Sequence, residues 1–277
     1  LNRFFPLTLM LSALLLSACV ADQAVDMESR PIALDQNAEP AGAAGVQSAA
    51  SVASMLPATG PTYVTLTVAR QNGGSMPSPK DGTTAITSGS GFVVSPDGFV
   101  VTAAHVAVNK GNEISARAAN GRIYSGTVVG IYPGNDMALV KLRSFNGRDV
   151  VPASPACVAV GSPIYTLGKP HGAGDTARIG TLQAMHFGRA VAYGNFGYPD
   201  AMVLHMGTQR GESGGPVFNA QGQLIGMVVS TLSDESGNSI TMAHAIPANT
   251  IGKFICSQGS CSSNWQAIAA KPVDSCG

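Results

Sequence analysis

Gln209-Arg210-Gly211-Glu212-Ser213-Gly214-Gly215-Pro216 is the stretch on which the reading of this chain turns. A serine between glycines, directly after Gly-Glu, suits an exposed nucleophile on a tight turn. Glycine permits positive φ and keeps side-chain bulk away from a substrate pressed against the main chain. The backbone N–H groups of Gly211 and Ser213 can then converge on one developing oxyanion. Residues 201–204 before the turn and 224–229 after it are apolar and β-branched, so both read as strands that hold it. Taken alone, the same residues also describe a glycine-rich turn with a surface serine.

A serine hydroxyl needs a base to remove its proton, and the base needs a third group to fix its tautomer. Upstream stand Thr102-Ala103-Ala104-His105 and Asn135-Asp136-Met137-Ala138-Leu139-Val140, which puts the three groups in the order His, Asp, Ser. His105 would accept the Ser213 proton and later donate it to the leaving group, since an imidazole pKa of about 6.5 serves both steps near neutral pH. Asp136 would hold the productive tautomer. A structural histidine and a turn aspartate are the plain alternatives for each residue by itself. His171, His186, His205 and His244 have no comparable context and read as loop or strand residues.

Thr-Ala-Ala-His, Asp-Met-Ala-Leu-Val and Gly-Glu-Ser-Gly-Gly-Pro resemble the three signatures of trypsin-fold serine proteases, over roughly residues 61–255. Within that superfamily the chain is most similar to the bacterial HtrA (Deg) branch. The similarity rests on the run from Gly89 to His105, on Tyr165-Thr-Leu-Gly-Lys-Pro-His-Gly172 and on Ala243-His-Ala-Ile-Pro247. The resemblance implies an all-β fold: two six-stranded antiparallel barrels with the active site between them, plus a short C-terminal helix. It carries the triad onto His105, Asp136 and Ser213, and the oxyanion hole onto the Gly211 and Ser213 N–H groups. The primary specificity pocket would be floored by Gly207 and walled by Thr208, Val228 and Thr231. With no carboxylate at that floor, small or medium apolar side chains are expected there rather than Lys or Arg. The chain is expected to depart from the branch in having no PDZ domain. It also lacks the cysteine that follows the histidine in animal trypsins. In zymogen-derived relatives the residue before the serine pairs with a newly freed amino terminus. No Ile-Val-Gly-Gly-like start exists for Glu212, so its partner is left open, as is a collapsed oxyanion loop.

Composition bounds the same answer. A 277-residue chain holds one large β domain or two small ones, and its 45% hydrophobic content supports a sizeable core. With 33 Gly, 17 Pro and only 12% charged residues, it is turn-rich rather than a helical bundle. Sixteen basic and 16 acidic residues cancel, so the basic footprint of a nucleic-acid partner is missing. No metal or organic cofactor is expected.

At the amino end Arg3 precedes an apolar run, then Leu16-Ser17-Ala18-Cys19, which resembles a lipobox. Residues 1–18 are thus expected to be a lipoprotein signal peptide, with a lipid on Cys19 as the only membrane anchor. An ordinary signal peptide with an incidental cysteine is the alternative. Val20 after Cys19 fits outer-membrane sorting in a Gram-negative envelope. Residues 19–60 carry no sustained period and read as a flexible tether. The remaining Cys157, Cys256, Cys261 and Cys276 allow three pairings. We favour Cys256–Cys261 with Cys157–Cys276, which ties the tail to the second half. Their spacing does not fit a zinc site.

Along residues 61–255, strands are expected near 62–68, at 92–95 and 99–102 as a hairpin, and at 113–118, 123–131 and 138–142. The second half places them near 163–167, 177–184, 202–206, 216–219, 224–230 and 239–246, with a closing helix over 247–255. Barrel one then spans about 61–150 and barrel two about 155–246. Residues 256–277 form a Cys-containing tail, with Trp265 packing it onto the domain. The function expected is a serine endopeptidase of envelope or secreted proteins, exported and lipid-anchored, acting on protein or peptide substrates in an oligomeric state left open. A catalytically silent protease-fold binder or chaperone is the alternative.

Overall fold

The computed structural model describes residues 32–35, 49–69, 87–171, 173–233 and 239–276. The signal segment and Cys19 lie outside the described residues. An amino-terminal strand β1 (Ala33–Asp35) and helix α1 (Ala49–Thr59) precede the first barrel. That barrel consists of β2 (Tyr63–Ala69), β3 (Thr87–Ser95), β4 (Phe99–Ala103), β5 (Glu113–Ala118), β6 (Ile123–Tyr132) and β7 (Met137–Leu142), closed in the order β2-β3-β4-β7-β6-β5. One short helix, α2 (Ala104–Ala107), follows β4.

The second half contains β8 (Pro163–Gly168), β9 (Thr176–Ala184), a small hairpin of β10 (Val191–Tyr193) and β11 (Phe196–Tyr198), β12 (Met202–His205), β13 (Pro216–Asn219), β14 (Leu224–Ser233) and β15 (Ser239–Pro247). The order β9-β12-β15-β14-β13-β8, with β8 paired back to β9, closes a second six-stranded barrel. The expected all-β, two-barrel fold is therefore what the chain forms. Helices α3 (Ala248–Ser257) and α4 (Ser263–Ala269) close the chain.

Strand alternation builds the cores. In β5 every second residue, Ile114, Ala116 and Ala118, is buried while the residues between them are half exposed, as a pleated strand with one face inward requires. Pro247 sets extended backbone at the start of α3, where a missing N–H removes no helical bond. Among the described residues no helix is long and apolar enough to cross a membrane.

Two features differ from the expectations. Parts of the segment read as tether belong to the fold: β1 pairs in parallel with β9, from Ala33↔Thr176 to Asp35↔Arg178. On α1, Val52 is fully buried and Thr59 lies 3.3 Å from the Tyr165 hydroxyl. Tertiary contacts, not local pattern, order these residues. The tail also contains a second helix. Its Trp265 is 1% exposed and donates from Nε1 to the Val94 carbonyl at 3.1 Å. The chain that ends barrel two is thereby fastened to barrel one.

Two disulfides secure that return, Cys157–Cys276 and Cys256–Cys261. They are the pairs favoured on sequence. Cys157–Cys276 spans a sequence separation of 119. A loop of about 100 residues constrains the unfolded chain by roughly 4–5 kcal/mol in the entropy model, and removal of such bonds costs about 2–5 kcal/mol. Cys276→Ser should therefore lower the urea midpoint clearly. Cys261→Ser, which opens a separation of only 5, should lower it less.

Candidate active site

Sheet register brings the first two groups together. In the β4–β7 pair, Thr102 faces Ala138 and Ala103 faces Met137. His105 is two residues past the end of β4, and Asp136 is one residue before β7. The main chain locks them: Ala104 N–H donates to the Asp136 carbonyl at 3.0 Å, and His105 N–H to Asp136 Oδ1 at 2.9 Å. His105 Nδ1 meets Asp136 Oδ2 at 2.8 Å.

Asp136 is fully buried, while the His105 side chain is 27% exposed. The backbone of Asp136 is left-handed, with φ 46°, a conformation that Asp tolerates better than most residues. Its Oδ2 also accepts from the hydroxyl of Tyr193 on β10. Burial first, and the Asp136 charge second, raise the Tyr193 pKa, so this hydroxyl keeps its proton and donates. The His105 ring meets Tyr193 and Phe196 edge-on, with centroids 5.7 and 6.5 Å away.

The serine lies on the connection from β12 to β13. Two glycines let that turn seat against its surroundings. Gly214, φ +85°, leaves so little room that a Cβ would lie 2.1 Å from the Ser90 carbonyl oxygen and 2.5 Å from Thr102 Oγ1. Gly211, φ +97°, is as tightly held: a Cβ would lie 2.3 Å from the Lys169 carbonyl oxygen. Any L side chain at either position meets both steric conflict and backbone strain.

Cross-barrel hydrogen bonds set the turn beside His105. Ser90 N–H donates to the Ser213 carbonyl at 2.9 Å, and Ser90 Oγ donates to the Gly211 carbonyl at 2.9 Å. Thr102 Oγ1 holds the Ser90 carbonyl at 2.7 Å, and His171 N–H holds the Arg210 carbonyl at 2.9 Å. The carbonyls of Arg210 and Gly211 are thus occupied by protein donors. Among the described residues, neither Gly211 N–H nor Ser213 N–H donates to a protein acceptor. Nor does a hydrogen bond join Ser213 Oγ to the His105 ring among them.

Glu212, whose partner the sequence left open, is 1% exposed. Arg178 Nε lies 2.6 Å from its Oε1, and Gln209 N–H donates to its Oε2. Arg178 comes from β9 and is 8% exposed. An internal guanidinium thus stands where zymogen-derived enzymes use a liberated amino terminus. Sequence reasoning missed Arg178, although a cation inside the apolar run Ala177-Arg178-Ile179 was a usable sign. It also missed Tyr193, Ser90 and Thr102.

Of the expected pocket residues, Thr208 is buried, and its hydroxyl meets that of Thr231 at 2.7 Å. A Cβ on Gly207 would find Thr241 Cγ2 3.8 Å away. Val228 is buried and belongs to the apolar cluster of the second barrel that also contains Val217 and Met202. Its main chain anchors the serine turn, accepting from Gly214 N–H at 2.7 Å and donating to Gly215 at 2.9 Å.

Comparison with known proteins agrees with this arrangement. Residues 89–227 match the trypsin-like peptidase domain family. A probable periplasmic serine endoprotease DegP-like of Brucella suis biovar 1 (strain 1330) is 32% identical over 193 residues, covering 68% of this chain and 36% of the relative. A probable serine protease do-like of Buchnera aphidicola subsp. Acyrthosiphon pisum (strain APS) is 34% identical over 169 residues, or 59% of this chain and 34% of that protein. The chain spans about a third of the length of these curated relatives. Among solved structures, the HtrA-type protease AlgW with tripeptide superposes with a TM-score of 0.59 at 26% identity, over 70% of this chain and 59% of that one. The Rv3671c protease from M. tuberculosis, active form, gives 0.60 at 22% identity, over 79% of this chain and 90% of that one, which is a likeness of fold. With half of its length matched by the family, and the fold of that family, the chain belongs to the trypsin-like peptidase domain family.

Proposed function

We propose that this protein is a serine endopeptidase that hydrolyses peptide bonds of protein substrates through His105, Asp136 and Ser213. The observation that carries the reading is the buried Asp136 carboxylate, held to both N–H groups of His105. It stands beside a serine turn whose Gly211 and Ser213 N–H groups are left for a ligand.

In this mechanism Ser213 Oγ attacks the scissile carbonyl while His105 Nε2 takes its proton. Asp136 holds the Nδ1–H tautomer and stabilises the imidazolium. The Gly211 and Ser213 N–H groups receive the oxyanion. His105 then returns the proton to the leaving amine, and water, activated by the same imidazole, hydrolyses the acyl-enzyme. Contacts between nucleophile and base tighten when substrate is bound, so a Ser213 Oγ–His105 Nε2 hydrogen bond is expected in the substrate complex.

Thr208, Thr231 and Thr241 around Gly207 offer hydroxyl and methyl groups but no charge, which favours small or medium apolar side chains at the cleavage position. Relatives named as periplasmic support an exported envelope enzyme. The lipobox-like Leu16–Cys19 supports a lipid anchor, and Val20 an outer-membrane location.

Fluorophosphonate labelling of residues 20–277 tests the reading. Stoichiometric label at Ser213, lost in Ser213→Ala and His105→Ala, is the expected result. Absence of label on a folded wild-type protein would overturn it in favour of a silent binder. Peptide-library cleavage dominated by Lys or Arg would overturn the pocket assignment.

A further inference from the structure

We propose that Tyr193 is a positioning residue of the catalytic triad, supplying through its hydroxyl a third donor that fixes the plane and the charge of the Asp136 carboxylate. The inference rests on the serine-protease reading above and goes beyond it.

Asp136 has three donors. Oδ1 receives the His105 main-chain N–H, whereas Oδ2 receives both His105 Nδ1–H and the Tyr193 hydroxyl. Without Tyr193, both remaining donors would belong to one residue, and the carboxylate could follow His105 when it moves. Tyr193 ties it to the other barrel.

That tie is built to be firm. The excursion from β9 to β12 carries β10 and β11, which pair from Val191↔Tyr198 to Tyr193↔Phe196. Asp200 Oδ1 closes its base, accepting from the N–H groups of Phe187, Gly188 and Ala201 at 2.9, 3.0 and 2.8 Å. On the returning strand the Tyr198 hydroxyl meets Ser230 Oγ and His244 Nδ1, each at 2.8 Å. The Tyr193 and Tyr198 rings meet edge-on at 6.2 Å. Tyr193 therefore arrives at Asp136 from a braced hairpin.

A hydrogen bond to an anion stabilises it and draws off charge. Tyr193 thus moderates how strongly Asp136 favours the protonated imidazole, besides aiming the carboxylate. The titratable groups facing this carboxylate are His105 from α2, Tyr193 from β10 and, further off, Tyr198 from β11. Among the described residues no lysine or arginine pairs with Asp136.

Tyr193→Phe keeps the ring and removes the donor. We expect kcat/KM to fall about tenfold through kcat, with KM near wild type. The acid limb of the kcat/KM profile should move to higher pH, because the less neutralised carboxylate holds the imidazolium more tightly. A variant with wild-type kcat and a wild-type acid limb would overturn the proposal. So would a lower kcat with an unmoved limb, which marks a merely structural role. His105 titration followed by NMR in a Ser213→Ala background reads the same contact without activity. An upward shift on adding Tyr193→Phe supports the proposal, and an unchanged titration overturns it. Failure of the protease reading is separately visible as wild-type protein that neither labels nor cleaves.

Discussion

Ser213→Ala and His105→Ala are each expected to lower kcat about 10⁶-fold, and the double variant should be no worse than either single one. The non-additivity arises because proton removal and attack are one event, so losing either partner abolishes both, as in a subtilisin-type triad. Asp136→Asn should cost about 10⁴-fold, by analogy with the same change in a chymotrypsin-type triad. The geometry explains the smaller loss. An amide at position 136 presents an N–H where Nδ1–H requires an acceptor, so the imidazole takes the wrong tautomer while the main-chain bonds around residue 136 persist. Residual turnover above the uncatalysed rate would come from the Gly211 and Ser213 N–H groups and from substrate binding. Steady-state kinetics on one peptide across the four variants checks the series. A double variant far below either single variant would mean that Ser213 and His105 do not act as one unit.

The barrels and the His105–Asp136 pair were legible in the sequence because both depend on local signals. Thr102-Ala103-Ala104-His105 ends an apolar strand that is buried without a break from Val100 to Ala103, and Asp136 directly precedes β7, the strand paired with it. Register alone then brings the two side chains together. The residues that the sequence concealed act through contacts distant along the chain. Tyr193 reaches back 57 residues to Asp136, and Arg178 reaches forward 34 to Glu212. The hairpin Val191-Ala-Tyr-Gly-Asn-Phe-Gly-Tyr198 had a turn signal in Gly-Asn, but nothing in it showed that its tyrosine would face a carboxylate. The segments 33–35 and 49–59 had no period to read. Their order comes from an open edge of β9 and from a buried site for Val52, neither of which exists until barrel two has formed.

Arg178→Met is expected to destabilise the protein by about 3–5 kcal/mol, because it takes the paired guanidinium away from the buried Glu212 carboxylate. The pair itself is not expected to stabilise the fold by any such amount, since desolvating both charges offsets most of their attraction. Arg178→Met combined with Glu212→Gln should therefore recover much of the lost stability in urea melts, as the amide can still accept from Gln209 N–H. Recovery of activity should be smaller. Glu212 stands between Gly211 and Ser213, the two proposed oxyanion donors, and its carboxylate is fastened on one side to Arg178 and on the other to the Gln209 main chain. Gly168 lies so close that a Cβ there would come within 2.9 Å of Glu212 Cβ, so the backbone at 212 has little freedom while the ion pair holds it. Releasing that hold lets the Gly211 N–H leave the direction of the oxyanion, a loss of about 10²–10³ in kcat for one donor. Fluorophosphonate reaction rates and urea midpoints, measured on the same three proteins, separate the two effects. If Arg178→Met reacts and unfolds as wild type does, the guanidinium has no part in holding the oxyanion turn. If the double variant regains stability but reacts slowly, the buried ion pair serves to aim the catalytic backbone, and its contribution to folding is secondary.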